Sequence, residues 1–115
     1  MKEVSTTLSY RGEEIKIVFN LNVMEAIQRE YKSISKWGEL TDGKSGEVDI
    51  KALIFGITEM INEAIDIEND EKGTDKPFLT HKKVARIITE IGVENTTGKM
   101  NGVVIESTKS EEKNG

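Results

Sequence analysis

The chain has 115 residues, 36% of them hydrophobic and 32% charged, with a formal net charge of -5 and no cysteine. That length supports one modest core and disfavours a second domain. The missing cysteines exclude disulfides, thiolate metal sites and thiol catalysis, and an acidic balance without a basic cluster disfavours nucleic acid as a partner. Met1-Lys2-Glu3-Val4-Ser5-Thr6-Thr7 lacks the apolar stretch of a secretory signal, and no apolar run nears the roughly 18 residues of a membrane helix, so a cytoplasmic, non-membrane protein is expected.

Val4, Thr6, Leu8 and Tyr10 fall on one side of an extended segment, and Ile15, Ile17 and Phe19 alternate with Glu14, Lys16 and Val18 in a second. Arg11-Gly12 between them carries turn chemistry, so the first twenty residues read as a β-hairpin. At Phe19-Asn20-Leu21-Asn22 the period changes from that of a strand to that of a helix. Asn22 with Glu25 three residues later resembles a capping box, which places the helix start there. Val23, Met24, Ile27, Tyr31 and Ile34 form its apolar arc, flanked by Ala26 and Trp37, and Gly38 is placed to end it. Glu30 lies on the edge of the arc, either as a surface carboxylate with a packed stem or as a residue that orients a partner or a neighbouring subunit.

Residues 41 to 47 have turn chemistry and no apolar side chain, which predicts a surface loop. Asp49 then caps a long second helix whose Ile50, Leu53, Ile54, Ile57, Met60, Ile61, Ala64 and Ile65 repeat every three or four residues. Gly56 inside it costs about 1 kcal/mol relative to Ala, and marks either a close approach of another segment or a tolerated glycine. Phe55 points roughly opposite the stripe. It belongs either to a helix covered on two sides, to a lone exposed aromatic, or to an oligomer or partner surface.

Asp66 to Lys76 reads as a charged linker. Counted as a calcium loop from Asp66, its sixth position is Glu71 instead of Gly and its twelfth is Pro77 instead of Glu, so the match fails. Pro77-Phe78-Leu79-Thr80 supplies a rigid approach, two apolar anchors and an N-cap for a third helix with Val84, Ile87, Ile88 and Ile91 on its inner face and Gly92 as its stop. Lys83 at the third position after Thr80 leaves that cap without a reciprocal partner, and His81 reads as a surface residue. The domain therefore spans residues 1–92, an α+β fold with an N-terminal hairpin on a three-helix core. Val103-Val104-Ile105 offers material for an additional short strand within 93–106, and 107–115 reads as a disordered tail.

No catalytic, cofactor or metal constellation is legible: there is one unsupported histidine, no glycine-rich phosphate cradle and no paired-ligand spacing, so no enzyme is expected. The ordered series of hairpin, Phe19-Asn20-Leu21-Asn22 corner, helix ending in Glu30-Tyr31-Lys32-Ser33, Asp49 with Ala52-Leu53, and Pro77-Phe78-Leu79-Thr80 with Val84 resembles the tail assembly chaperones of long-tailed bacteriophages, over about residues 10 to 92. Lys32, where that family often has Gly, and Ile57-Thr58-Glu59, at the end of the matching helix segment, depart from its pattern. The resemblance implies a non-enzymatic protein that binds the tape-measure protein, helps recruit tail-tube subunits, acts in the host bacterial cytoplasm and is absent from the mature virion. Phe55, Glu30, Trp37 and Phe78 are the candidate partner or oligomer residues, and a homo-oligomer is expected. The competing readings are a permanent phage part, such as a head-tail connector or tail-completion protein, and a small regulatory domain.

Overall fold

The structure, a computed structural model, describes residues 1–44 and 46–112. Its order is β1 (Val4–Tyr10), β2 (Glu13–Phe19), α1 (Leu21–Tyr31), α2 (Ile34–Thr41), α3 (Ile50–Lys72), α4 (His81–Ile91) and α5 (Val93–Glu112). This is the expected α+β arrangement of hairpin and helices, with five helices among the described residues in place of three.

β1 and β2 pair antiparallel from Tyr10↔Glu13 to Val4↔Phe19. Arg11 and Gly12, at φ 50° and 81°, are both in the left-handed region, as a two-residue primed turn requires. Leu8, Ile17 and Phe19 face the core, and Val18 on the opposite side is buried too, so the end of β2 is covered on both faces. α3 lies along β2 and α5 along β1, α4 bridges α3 and α5, and α1 and α2 pack against α3. The core joins Leu8, Ile17 and Phe19 to Val23, Ile27, Trp37, Leu53, Ile57, Met60, Ile61, Val84, Ile88, Met100 and Val103.

Five boundaries differ from expectation. The first helix is capped by Asn20, whose Oδ1 accepts from the backbone N–H groups of Asn22 at 3.1 Å and Val23 at 3.3 Å. Asn22 is thus freed to reach another helix. Instead of running to Gly38, the helix breaks at Lys32, where φ is 75°, and Ser33 caps α2 by accepting from Lys36 N–H at 3.0 Å. α1 and α2 share one apolar arc, which conceals the break. The charged stretch after Asp66 continues α3 to Lys72 before Gly73 ends it at φ 65°. Thr41, read as loop, is the buried last residue of α2, its hydroxyl donating to Trp37 O at 3.0 Å.

The fifth difference is the C-terminal segment: Val103-Val104-Ile105 lies in α5, not in a third strand, and residues 107–112 of the expected tail continue that helix. Residues 113–115 lie outside the described residues. The buried positions Thr96, Met100, Val103 and Ser107 recur at helical spacing, but two of them are hydroxyl residues. Their burial is compensated: Thr96 Oγ1 donates to Gly92 O at 2.8 Å, and Ser107 Oγ donates to Lys2 O at 2.6 Å. Asp49, Thr80 and Gly92 cap and stop their helices as expected.

Candidate functional site

α1 runs antiparallel to α3, with Tyr31 on Phe55 at one end and Asn22 on Glu63 at the other. The four residues singled out from the sequence divide between these ends. Phe55 is half-buried with its ring edge to face against Tyr31, 5.7 Å between centroids, so it meets the reading of a helix covered on two sides. Glu30 is exposed beside Tyr31. Burial raises the Tyr31 hydroxyl above its ordinary value, and the charges of Asp49 and Glu30 add to the rise.

Trp37 is 1% exposed and cannot contact a partner. Its indole N–H donates to Ala52 O at 3.0 Å, and its ring lies flush on Gly56: a Cβ there would stand 2.4 Å from Cζ2. Gly56 therefore marks a close approach of two helices. Trp37, expected as a candidate partner or oligomer residue on the flank of a continuous first helix, is instead a core side chain of α2.

Phe78 is different: it is 55% exposed, beside the start of α1, about 15 Å along that helix from Tyr31. The connection carrying it is tied to α3 by two asparagines seven residues apart on one face. Asn62 Nδ2 donates to Leu79 O at 3.1 Å, while Asn62 Oδ1 accepts from Leu79 N–H at 2.8 Å. Asn69 likewise donates to Lys76 O at 3.0 Å and accepts from Lys76 N–H and the Thr74 hydroxyl, each at 2.9 Å. These amides take the place of strand partners for an otherwise irregular segment, so Phe78 is held in position while its ring meets water.

Asn22, Val23, Glu59, Asn62, Glu63, Asp66 and Phe78 line a groove of 250 Å³ here. Leu21, 68% exposed, lies on the other side of Asn22 in the neighbouring depressions. Glu63 Oε2 accepts from Asn20 Nδ2 at 2.8 Å and Asn22 Nδ2 at 2.9 Å, and Asn20 Nδ2 also reaches Glu3 at 3.0 Å. The groove lining holds three carboxylates and no lysine or arginine. Burial holds the Glu59 carboxyl above the ordinary carboxylate range; Arg29 opposes that shift and Glu63 reinforces it.

A larger concavity of 420 Å³ lies between β2 and the C-terminal half of α3, and its lining intersperses Lys16, Lys72 and Lys76 among Glu13, Glu14, Glu68 and Glu71. Glu68 pairs there with Lys76 and, at 3.9 Å, with Lys72. The smaller groove exposes the Phe78 ring beside three carboxylates with no cation in its lining. Sequence reasoning found Phe78 but missed Leu21, Asn62 and Asn69. The seven-residue spacing of the two asparagines, two turns on one helix face, was the available signal.

Among the described residues no helix is long and apolar enough to cross a membrane, and no group of three or more acidic or histidine side chains is placed to hold a metal. Comparison of the chain with known protein families, curated proteins and solved structures finds no match.

Proposed function

We propose that this protein is a non-enzymatic tail assembly chaperone of a long-tailed phage or prophage, which binds the tape-measure protein and assists recruitment of tail-tube subunits. The observation that carries the reading is Phe78: a large aromatic side chain 55% exposed on a segment fastened by two asparagines. Leaving such a ring in water forgoes roughly 1.5–3 kcal/mol of burial, which a bound apolar helix would recover. The Pro77-Phe78-Leu79-Thr80 segment is also one of the elements on which the family resemblance rests. Acidic charge around the surface would keep a coated, otherwise aggregating chain in solution.

The test is co-expression with the product of a long, apolar-helix-rich reading frame neighbouring this gene. The expected result is a larger soluble fraction of that product, reduced by Phe78→Ser. No gain in solubility, or stoichiometric presence of this protein in purified particles, would overturn the proposal.

A further inference from the structure

We infer that the groove between the start of α1, the middle of α3 and Phe78 receives an amphipathic helix of a partner protein, one that sets Lys or Arg beside Leu, Ile or Phe. The charge of the groove selects the cations. Glu59, Glu63 and Asp66 line it without a lysine or arginine, and Arg29, whose charge acts on Glu59 from outside the lining, also pairs with Glu25 at 3.2 Å. Leu21 and Phe78, on either side of Asn22, supply the apolar contact.

The backbone of the groove selects a helix over a strand. A strand docks by exchanging main-chain hydrogen bonds, but those of Asn22, Val23, Met24 and Leu79 already have partners within the chain. Asn20 accepts from the N–H groups of Asn22, Val23 and Met24, and Asn62 holds both the N–H and the C=O of Leu79. A helix brings its own backbone hydrogen bonds and needs only side-chain recognition. A second copy of this chain fits poorly: docking groove to groove about a twofold axis would bring two sets of Glu59, Glu63 and Asp66 together, in a protein of net charge -5.

The inference deepens the chaperone reading by giving the chemistry of the segment bound, and it can be tested separately from it. A fluorescein-labelled peptide of leucine and lysine patterned as an amphipathic helix is titrated with the intact chain, and binding is followed by anisotropy. We expect saturable binding that weakens at least about tenfold with Phe78→Ser, with Leu21→Ser and with Glu59→Gln, the scale of an interface hot spot. Glu71→Gln, in the other concavity, should leave it unchanged, and a peptide with glutamate in place of lysine should not bind. Equal binding of the glutamate peptide, equal weakening by Glu71→Gln, or self-association abolished by Phe78→Ser in ultracentrifugation would each overturn the inference. Peptide binding as expected with no gain in tape-measure solubility would remove the chaperone reading and leave this one standing.

Discussion

The two halves of α3 are held by different physics. In its N-terminal half Gly56 lies under the Trp37 ring, a dry contact decided by shape. In its C-terminal half Asn62 and Asn69 fasten residues 74 to 79 through directional hydrogen bonds, with water beside them. Where the Trp37 ring meets Gly56 the two surfaces are already matched, and that contact leaves nothing over for a partner. Side-chain amides can secure a backbone while leaving the neighbouring side chain, Phe78, free to face outward. Phe78, exposed and yet fixed in place, therefore lies beside the half that is fastened by polar contacts, whereas the exposed apolar residue of the other half, Ile50, stands at the very start of the helix, away from the Trp37 contact.

Breaking the shape-matched half should have the largest effect. Trp37→Ala opens a cavity beneath α2 and removes the indole N–H that donates to the Ala52 carbonyl, and should cost about 3–5 kcal/mol, a large part of what stabilises a domain of this size. Gly56→Ala should cost about 1–3 kcal/mol by overpacking, although alanine is the better helix former. The coupling sharpens the point. In a Trp37→Ala background, Gly56→Ala should lose its penalty and become neutral or stabilising, read as urea midpoints in a double-mutant cycle. Additive costs would mean that Gly56 is not there for the ring.

The polar half should be less sensitive to any one change. Asn62→Ala removes both hydrogen bonds to Leu79 and should cost about 1–3 kcal/mol. Its characteristic signature is local: faster amide exchange at Leu79 and Lys76, with the Trp37 indole unchanged. Loss of the Trp37 environment in step with Leu79 would show that the two halves melt as one unit.

This contrast explains how far the sequence could be read. The hairpin, the α3 stripe and the Asp49, Thr80 and Gly92 helix limits were legible because period and cap chemistry act locally. The α1–α2 break was not, since Ile34 and Trp37 continue the apolar period across a residue, Lys32, that adopts a positive φ without being glycine. α5 was missed because its inner stripe contains Thr96 and Ser107, polar by type yet buried through hydrogen bonds to backbone carbonyls. Of the candidate surface, Phe78 could be found as an apolar residue next to a proline. Leu21 could not, because nothing local says that the first residue of α1 faces outward.

Within the groove itself, Glu59 gives a smaller effect whose sign is set by burial. Folding holds its carboxyl above the ordinary carboxylate range, so between the unfolded and folded values the native chain keeps a proton that the unfolded chain has released. Stability from this group is therefore lost as pH rises through that window, and the deficit persists at neutral pH. Glu59→Gln should raise the urea midpoint at neutral pH, and the gain should fade as the solution is acidified below the usual carboxylate range. Parallel stability profiles for the two proteins across that range would show that the carboxylate is not strained.

The smallest effect on stability should come from the residue most important to the proposed partner. Phe78 is 55% exposed, and its backbone neighbours are secured by Asn62 and Asn69 without its ring. Phe78→Ser should therefore change unfolding free energy by no more than about 0.5 kcal/mol, as surface substitutions do. Phe55→Ser gives the internal control: that ring packs edge to face on Tyr31, so its loss should destabilise the fold measurably. If Phe78→Ser were as destabilising as Phe55→Ser, the ring would be part of the core that α3 organises, and the division of that helix into a shape-matched half and an outward-presenting half would fail.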